Sequence, residues 1–432
     1  MRKAERGAVG RVGWAGTPGR AVTGALVVVL LGGLTGCADT RRVASPLRPV
    51  AGTEPAATSA SASEAASREP VTVAVSPSPA AADVPVSVEI GTAVSGGSVS
   101  DVALADGAGR RIPGVMRDDG TSWIPGQPLE YATRYTATVT ASSADGRTAT
   151  GTTTFTTMPR PGGTRVGTGL YLFTGNTYGV AMPVVVEFES DVPADARAAV
   201  ERRLLVHSDP PQPGAWRWFG SRQVMYRPPQ YWRSGTKLTV RSALSGHPIG
   251  RRFGDMDRSA TVTIGRDLRI NVDNATKQMT VVQDGQVLRT MPVSLGKPKT
   301  PSSSGTMVIM EKQESTVFDT TAEDGPDGYR IDIRYAQRLT WGGQFIHSAP
   351  WSVRDQGVRN VSHGCVNLSP ANATWLFGQT MVGDPVTVKG TDRALEPGDG
   401  WTAWDAPWSA HAPGSAVPDA APPGSGGPSA PA

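Results

Sequence analysis

Cys365 lies in Ser362-His363-Gly364-Cys365-Val366-Asn367, and His347, eighteen positions upstream, lies in Phe345-Ile346-His347-Ser348. Thiol chemistry needs a base or cation that favours thiolate, and acyl attack needs donors for the oxyanion that forms. Either His347 or His363 can supply the base. Backbone N–H groups around Gly364 and Cys365 can supply the donors. A lone cysteine is more often a small buried hydrophobe. Three features count against that here. Hydrogen-bonding residues crowd the thiol, a glycine before it permits a tight turn, and His347 follows an apolar strand end that can aim it. His207, His247 and His411 are scattered and no H-E-x-x-H motif occurs, so no metal site and no cofactor is predicted.

Two cysteines in 432 residues exclude a disulfide scaffold and any four-thiolate metal site. The net charge of +4 is local: residues 1–36 hold five basic side chains and one acid, and the remainder carries 37 of each sign. The folded body is therefore neutral, and no Lys/Arg cluster points to nucleic acid.

Residues 1–36 combine a basic start with an apolar stretch, Ala21 to Gly36, centred on Leu26–Leu31. The stretch falls short of the ~20 apolar residues of a spanning helix and reads as a secretory signal. It ends Leu34-Thr35-Gly36-Cys37, which resembles the bacterial lipobox. That resemblance implies diacylglyceryl attachment at Cys37 and an anchor on the outer face of the cell membrane. Ordinary signal cleavage is the bland alternative. With Cys37 consumed as a thioether, Cys365 has no disulfide partner in the chain.

The elements that must hold Cys365 and His347 are mostly strands. Residues 37–80, poor in large apolar side chains, predict a disordered tether, and 411–432, rich in Pro, Gly and Ala, a disordered tail. Val84, Val86, Val88 and Ile90 alternate with polar or small residues. So do Tyr135–Val139 and Thr236–Val240, which lie 101 residues apart, as do Pro128 and Pro229. Two immunoglobulin-like sandwiches, 81–158 and 159–266, explain that offset, and coincident β-patterning is the alternative. From residue 267 the register changes. Asp284-Gly285 between two strand runs predicts a hairpin. Further strands are predicted at Thr306–Met310 and Tyr329–Tyr335, and a helix over Ser369–Gly378, capped by Ser369 with Pro370 at its first position. Trp401, Trp404 and Trp408 have the i, i+3, i+7 spacing of one helical face, so 391–410 is predicted to dock on the body. The fold class is all-β: two sandwiches, a β-rich domain at 267–390 with one short helix, and a Trp-rich end.

The His347…Ser-His-Gly-Cys-x-Asn arrangement resembles the L,D-transpeptidase catalytic domain of the YkuD type. Pro326–Arg330, His347–Ser352 and Ser362–Pro370 are similar to actinobacterial members. The likeness extends through Thr177–Pro183, Tyr231–Gly235 and Gly400–Trp408, covering roughly residues 80 to 410. Such members place immunoglobulin-like domains before the catalytic domain. The resemblance implies Cys365 as nucleophile and His347 as base, with the Ser348 segment orienting His347 by side chain or carbonyl. His363, Gly364 and the Cys365 amide would line the oxyanion site. Tyr329, Gly342, Gly343 and Asn367 match substrate-contacting positions, and Trp351 a lid residue. Tyr329 and Trp351 read equally well as core aromatics, His363 as structural, and Asn367 as a brace of the cysteine loop. The Phe318–Tyr329 loop is shorter than the family pattern. Ser245–Arg252 lacks carboxylates, so no relative's metal site carries over.

The resemblance implies a wall enzyme that joins peptidoglycan stem peptides 3→3 through a cysteine thioester. A tetrapeptide is the donor, a diamino-acid amine the acceptor, and carbapenems the expected inhibitors. Two alternatives stand beside it: a thiol carboxypeptidase or cross-link hydrolase with water as acceptor, and a non-catalytic wall-binding module.

Overall fold

The computed structural model describes residues 70–117, 120–319, 321 and 330–417. The lipobox and Cys37, Tyr329, and the tail beyond 417 lie outside the described residues. In the first sandwich the Tyr135–Val139 alternation becomes the strand Arg134–Ser142, with Tyr135, Ala137, Val139 and Ala141 buried. Val84, Val86, Val88 and Ile90 are also all buried, yet they form no single strand. The strands Ala81–Val84 and Ile90–Ser95 flank a turn in which the Val88 N–H donates to the Pro85 carbonyl. Pro85 cannot donate to a sheet ladder, so the buried spacing is carried around a turn.

Order begins earlier than the tether predicted over 37–80 allows. Thr72–Ser76 is a strand paired antiparallel with Ile90–Ser95, and its Val73 and Val75 pack on the sandwich core. The two sandwiches share a topology. In one sheet of the first, a short strand (Ala81–Val84) lies parallel to Thr148–Thr157, followed by Arg134–Ser142 and Ser98–Asp106. In the second, Thr177–Tyr178 lies parallel to Arg258–Ile264, followed by Lys237–Ser242 and Leu204–Asp209. The segments 101 residues apart thus sit at equivalent sheet positions, as duplication requires. Where the sandwiches meet, Glu89 pairs with Arg117 at 2.5 Å and Arg203 at 3.2 Å.

In the last domain two sheets pack face to face. We label its strands β1 (Leu268–Asp273), β2 (Gln278–Gln283), β3 (Gln286–Pro292), β4 (Ser303–Val308), β5 (Glu311–Asp319), β6 (Arg330–Arg338), β7 (Phe345–Ser348), β8 (Val366–Leu368), β9 (Pro385–Lys389) and β10 (Arg393–Ala394), with helix α1 at Pro370–Gln379. The six-stranded sheet has the order β3-β2-β1-β9-β4-β10, the four-stranded one β5-β6-β7-β8. Asp284 and Gly285 join β2 to β3 with φ of +50° and +81°, the paired positive φ of a type I′ turn. Ser369 caps α1 by accepting the Asn372 N–H at 3.3 Å. Gly378 lies inside the helix, which stops where Thr380 turns extended. Ile270, Val272, Met279 and Val281 meet Ile346, Val366, Leu368 and Leu376 in one core.

After β10 the chain runs back as a strap over the second sandwich. Trp401 and Ala403 enter that sandwich's core beside Val308 and Met310. Arg227 donates to the carbonyls of Ala403 (2.8 Å) and Ala406 (2.7 Å) and lies 4.6 Å from the Trp404 ring centre. Trp404 Nε1 donates to the Ala181 carbonyl at 2.7 Å. The single helical face predicted for the three tryptophans does not exist, because only Trp408–His411 is helical. They reach the body along an irregular strap. Order also runs past 411, where a tail was predicted. His411 is fully buried, with Nε2 at 3.1 Å from the Ala215 carbonyl, and the Ala416 N–H donates to Glu201.

Candidate active site

β7 and β8 lie parallel and in register, His347 opposite Asn367 and Ile346 opposite Val366. Alternation sends Ile346 and Val366 into the domain core. It sends Phe345 and His347 to the other face, where Cys365, one residue before β8, joins Phe345, Ile333 and Ala336. Imidazole and thiol therefore share one face of adjacent strands.

His347 is buried, and its Nδ1 lies 2.9 Å from the carbonyl oxygen of Ser348. A carbonyl only accepts, so the proton sits on Nδ1 and Nε2 keeps its lone pair. It is thus the backbone of Ser348 that orients the ring. Burial holds His347 below the ordinary histidine range, opposed by that carbonyl. Phe318 meets its ring edge-on at 5.4 Å, and Trp351, half exposed, covers it at 6.0 Å.

The Cys365 thiol is 8% exposed, and burial pushes it up to about 11 against the weaker pull of the Phe345 backbone and the Arg338 cation. At rest it is a thiol whose Sγ–H faces the Gly343 carbonyl at 3.7 Å. Its loop is braced on several sides. Ser362 Oγ donates to the Cys365 carbonyl at 2.7 Å, and Ser302 Oγ to the Gly364 carbonyl at 2.7 Å. Gly364 has φ +125°, a region other residues rarely enter.

Several predicted roles change. The Gly364 N–H donates to Ser362 Oγ at 3.1 Å in the resting site. His363 is exposed with Nε2 at 2.8 Å from Lys297 Nζ. An ammonium only donates, so Nε2 accepts from it, which suits a structural residue. Asn367 is 2% exposed and donates to Ser352 Oγ at 3.1 Å. It braces the turn that carries Trp351 and makes no open contact surface. Gly342 and Gly343 do lie at the site, in the turn between β6 and β7. Phe318, Arg338, Ser302, Ser352 and Asp399 belong to the surroundings without having been singled out in the sequence. Among the described residues no group of three or more His, Cys, Asp and Glu side chains is placed to hold a metal ion.

Comparison with known proteins agrees with this architecture. A family model of the bacterial Ig domain matches residues 81–248, and one of the L,D-transpeptidase catalytic domain, YkuD, matches 267–388. L,D-transpeptidase 2 of Mycobacterium tuberculosis is 33% identical over 76% of this chain and 80% of its own length. L,D-transpeptidase 5 of the same species is 35% identical over 76% and 73%. The solved structure of LD transpeptidase LdtMt1 in complex with imipenem is 37% identical over 51% of this chain and 97% of that one, with a TM-score of 0.43. Fold and site define an all-β protein with immunoglobulin-like domains ahead of a YkuD-type catalytic domain. The chain belongs to the L,D-transpeptidase family.

Proposed function

We propose that this transpeptidase forms 3→3 cross-links in peptidoglycan through a thioester on Cys365. The observation that carries the reading is His347, buried beside the thiol's strand with its Nδ1 proton tied to the Ser348 carbonyl, which leaves Nε2 as the base. Sγ attacks the carbonyl that joins the L-centre of the diamino acid to terminal D-alanine, and Nε2 takes the thiol proton. The C–N bond breaks, His347 returns the proton to the departing amine, and D-alanine leaves. The side-chain amine of a neighbouring stem then attacks the thioester, passing its proton through His347 to the released thiolate. The backbone amides of the His363–Cys365 loop are the proposed oxyanion donors. Burial of the thiol beside Phe318, with Trp351 over the neighbouring His347 ring, supports an amine acceptor over water. Cys37 is the proposed lipid anchor, holding the enzyme on the outer face of the cell membrane.

Incubation of a disaccharide tetrapeptide with the protein tests this: the expected products are cross-linked dimer and D-alanine. Dimer formed by Cys365→Ala would overturn the assignment, and D-alanine without dimer would favour the hydrolase. Imipenem, bound by a relative, should add its mass to the protein and not to Cys365→Ala. An unreactive thiol together with sacculus binding would instead indicate a wall-binding module. Fatty-acid labelling lost in Cys37→Ser checks the anchor.

A further inference from the structure

The turn Thr340–Gln344 between β6 and β7 carries the carbonyl that faces the thiol. It is braced from within the domain: Gln344 Oε1 accepts the Ser303 N–H at 2.9 Å, and Arg338 Nη1 donates to the Thr340 carbonyl at 3.3 Å. Its outer corner is held by the strap. The Gly342 N–H donates to Asp399 Oδ1 at 2.6 Å, a hydrogen bond strengthened by the carboxylate's charge. The strap lies flush here. A Cβ on Gly400 would stand 2.8 Å from the Leu339 carbonyl oxygen and one on Gly342 2.9 Å from Asp399 Oδ2. Gly343 follows at φ +89°, where backbone without a side chain can pivot unless its neighbours are fixed.

We propose that Asp399 is a positioning residue for the nucleophile. By fixing Gly342 it sets the Gly343 carbonyl that receives the Sγ–H, and thereby the bearing of the sulfur toward His347. Asp399 acts through the Gly342 amide. It sits at the corner of the strap against the turn, five residues before Trp404. The consequence for turnover rests on the acyl-transfer reading, whereas the consequence for the thiol does not.

The experiment compares the full chain carrying Asp399→Ala, Asp399→Asn or Trp404→Ala. Three readouts are taken: cross-linking kinetics and imipenem acylation, iodoacetamide alkylation of Cys365 against pH, and the melting temperature. Asn retains an acceptor oxygen and should stay within about twofold of wild type. Asp399→Ala should slow acylation about tenfold or more, because a small misplacement of reacting groups is heavily penalised. That loss should fall on kcat, with KM changed less than about twofold. Its alkylation midpoint should move down, because the protonated thiol loses its acceptor. Trp404→Ala, which loosens the strap away from the turn, should lower the melting temperature without moving the midpoint. Wild-type acylation and midpoint in Asp399→Ala would overturn the proposal. So would an Asp399→Asn variant as slow as Asp399→Ala, or an equal midpoint shift in Trp404→Ala. If the wild type proved inert toward imipenem and tetrapeptide while the Asp399→Ala midpoint still moved, the acyl-transfer reading alone would fail.

Discussion

At the scale of single residues, the site pairs a buried thiol with a buried neutral imidazole. Burial pushes the thiol up to about 11, so in the proposed reaction the proton moves as the sulfur attacks. Iodoacetamide alkylation of Cys365 should therefore rise with pH to a midpoint far above the ordinary thiol range. A midpoint near 8 to 9 would contradict the buried thiol. His347→Gln should lower acylation about 10²- to 10⁴-fold, the usual range for loss of a general base, measured with imipenem at neutral pH. Because His347 sits below the ordinary histidine value, the acid limb of acylation should fall below pH 6.5. The pairing of Cys365 with His347 is legible in the sequence because each sits in a short motif. Asp399, Phe318 and Ser302 were not, because each acts from a strand or strap distant in sequence, with no local pattern. The hydrogen bond from the Gly364 amide to the Ser362 hydroxyl is equally invisible in Ser-His-Gly-Cys.

At the scale of elements, what was local was readable. The Asp284-Gly285 hairpin and the Ser369-Pro370 start of α1 follow from φ preferences and capping within four residues. Ser369→Ala should lower stability by about 1 kcal/mol, seen in denaturant midpoints, and leave Cys365 acylation unchanged. What depended on distant partners was misread. The tryptophan spacing imitates a helix, but Arg227 and the second sandwich hold Trp401 and Trp404 in non-helical chain. Thr72–Ser76 reads as tether because nothing local marks Ile90–Ser95 as its partner. Gly179 shows the same limit: a Cβ there would meet the backbone of Asp384 at 2.3 Å, where sandwich and catalytic domain touch. Gly179→Ala should therefore lower the melting temperature by forcing that contact apart.

At the scale of the whole molecule, two buried histidines tie stability to pH. Burial, with Arg203 near one and Arg227 near the other, pushes His247 and His411 from 6.5 down to about 4. A folded value below the unfolded one means the stabilisation is present above pH 6.5 and is lost as pH falls toward 4. The full shift corresponds to about 3 kcal/mol for each residue. The melting temperature should fall over that window, and His411→Gln should flatten the fall. An unchanged slope would remove His411 from the account. The strap that buries His411 has one more consequence, in the order of synthesis. Domains generally fold from the N-terminus as the chain emerges. The first sandwich draws its core from its own sequence and can close early. The second cannot, because Trp401 and Ala403 of its core are made only after the whole catalytic domain. Its interior stays open until the strap arrives, so residues synthesised after the catalytic domain seal the middle of the molecule.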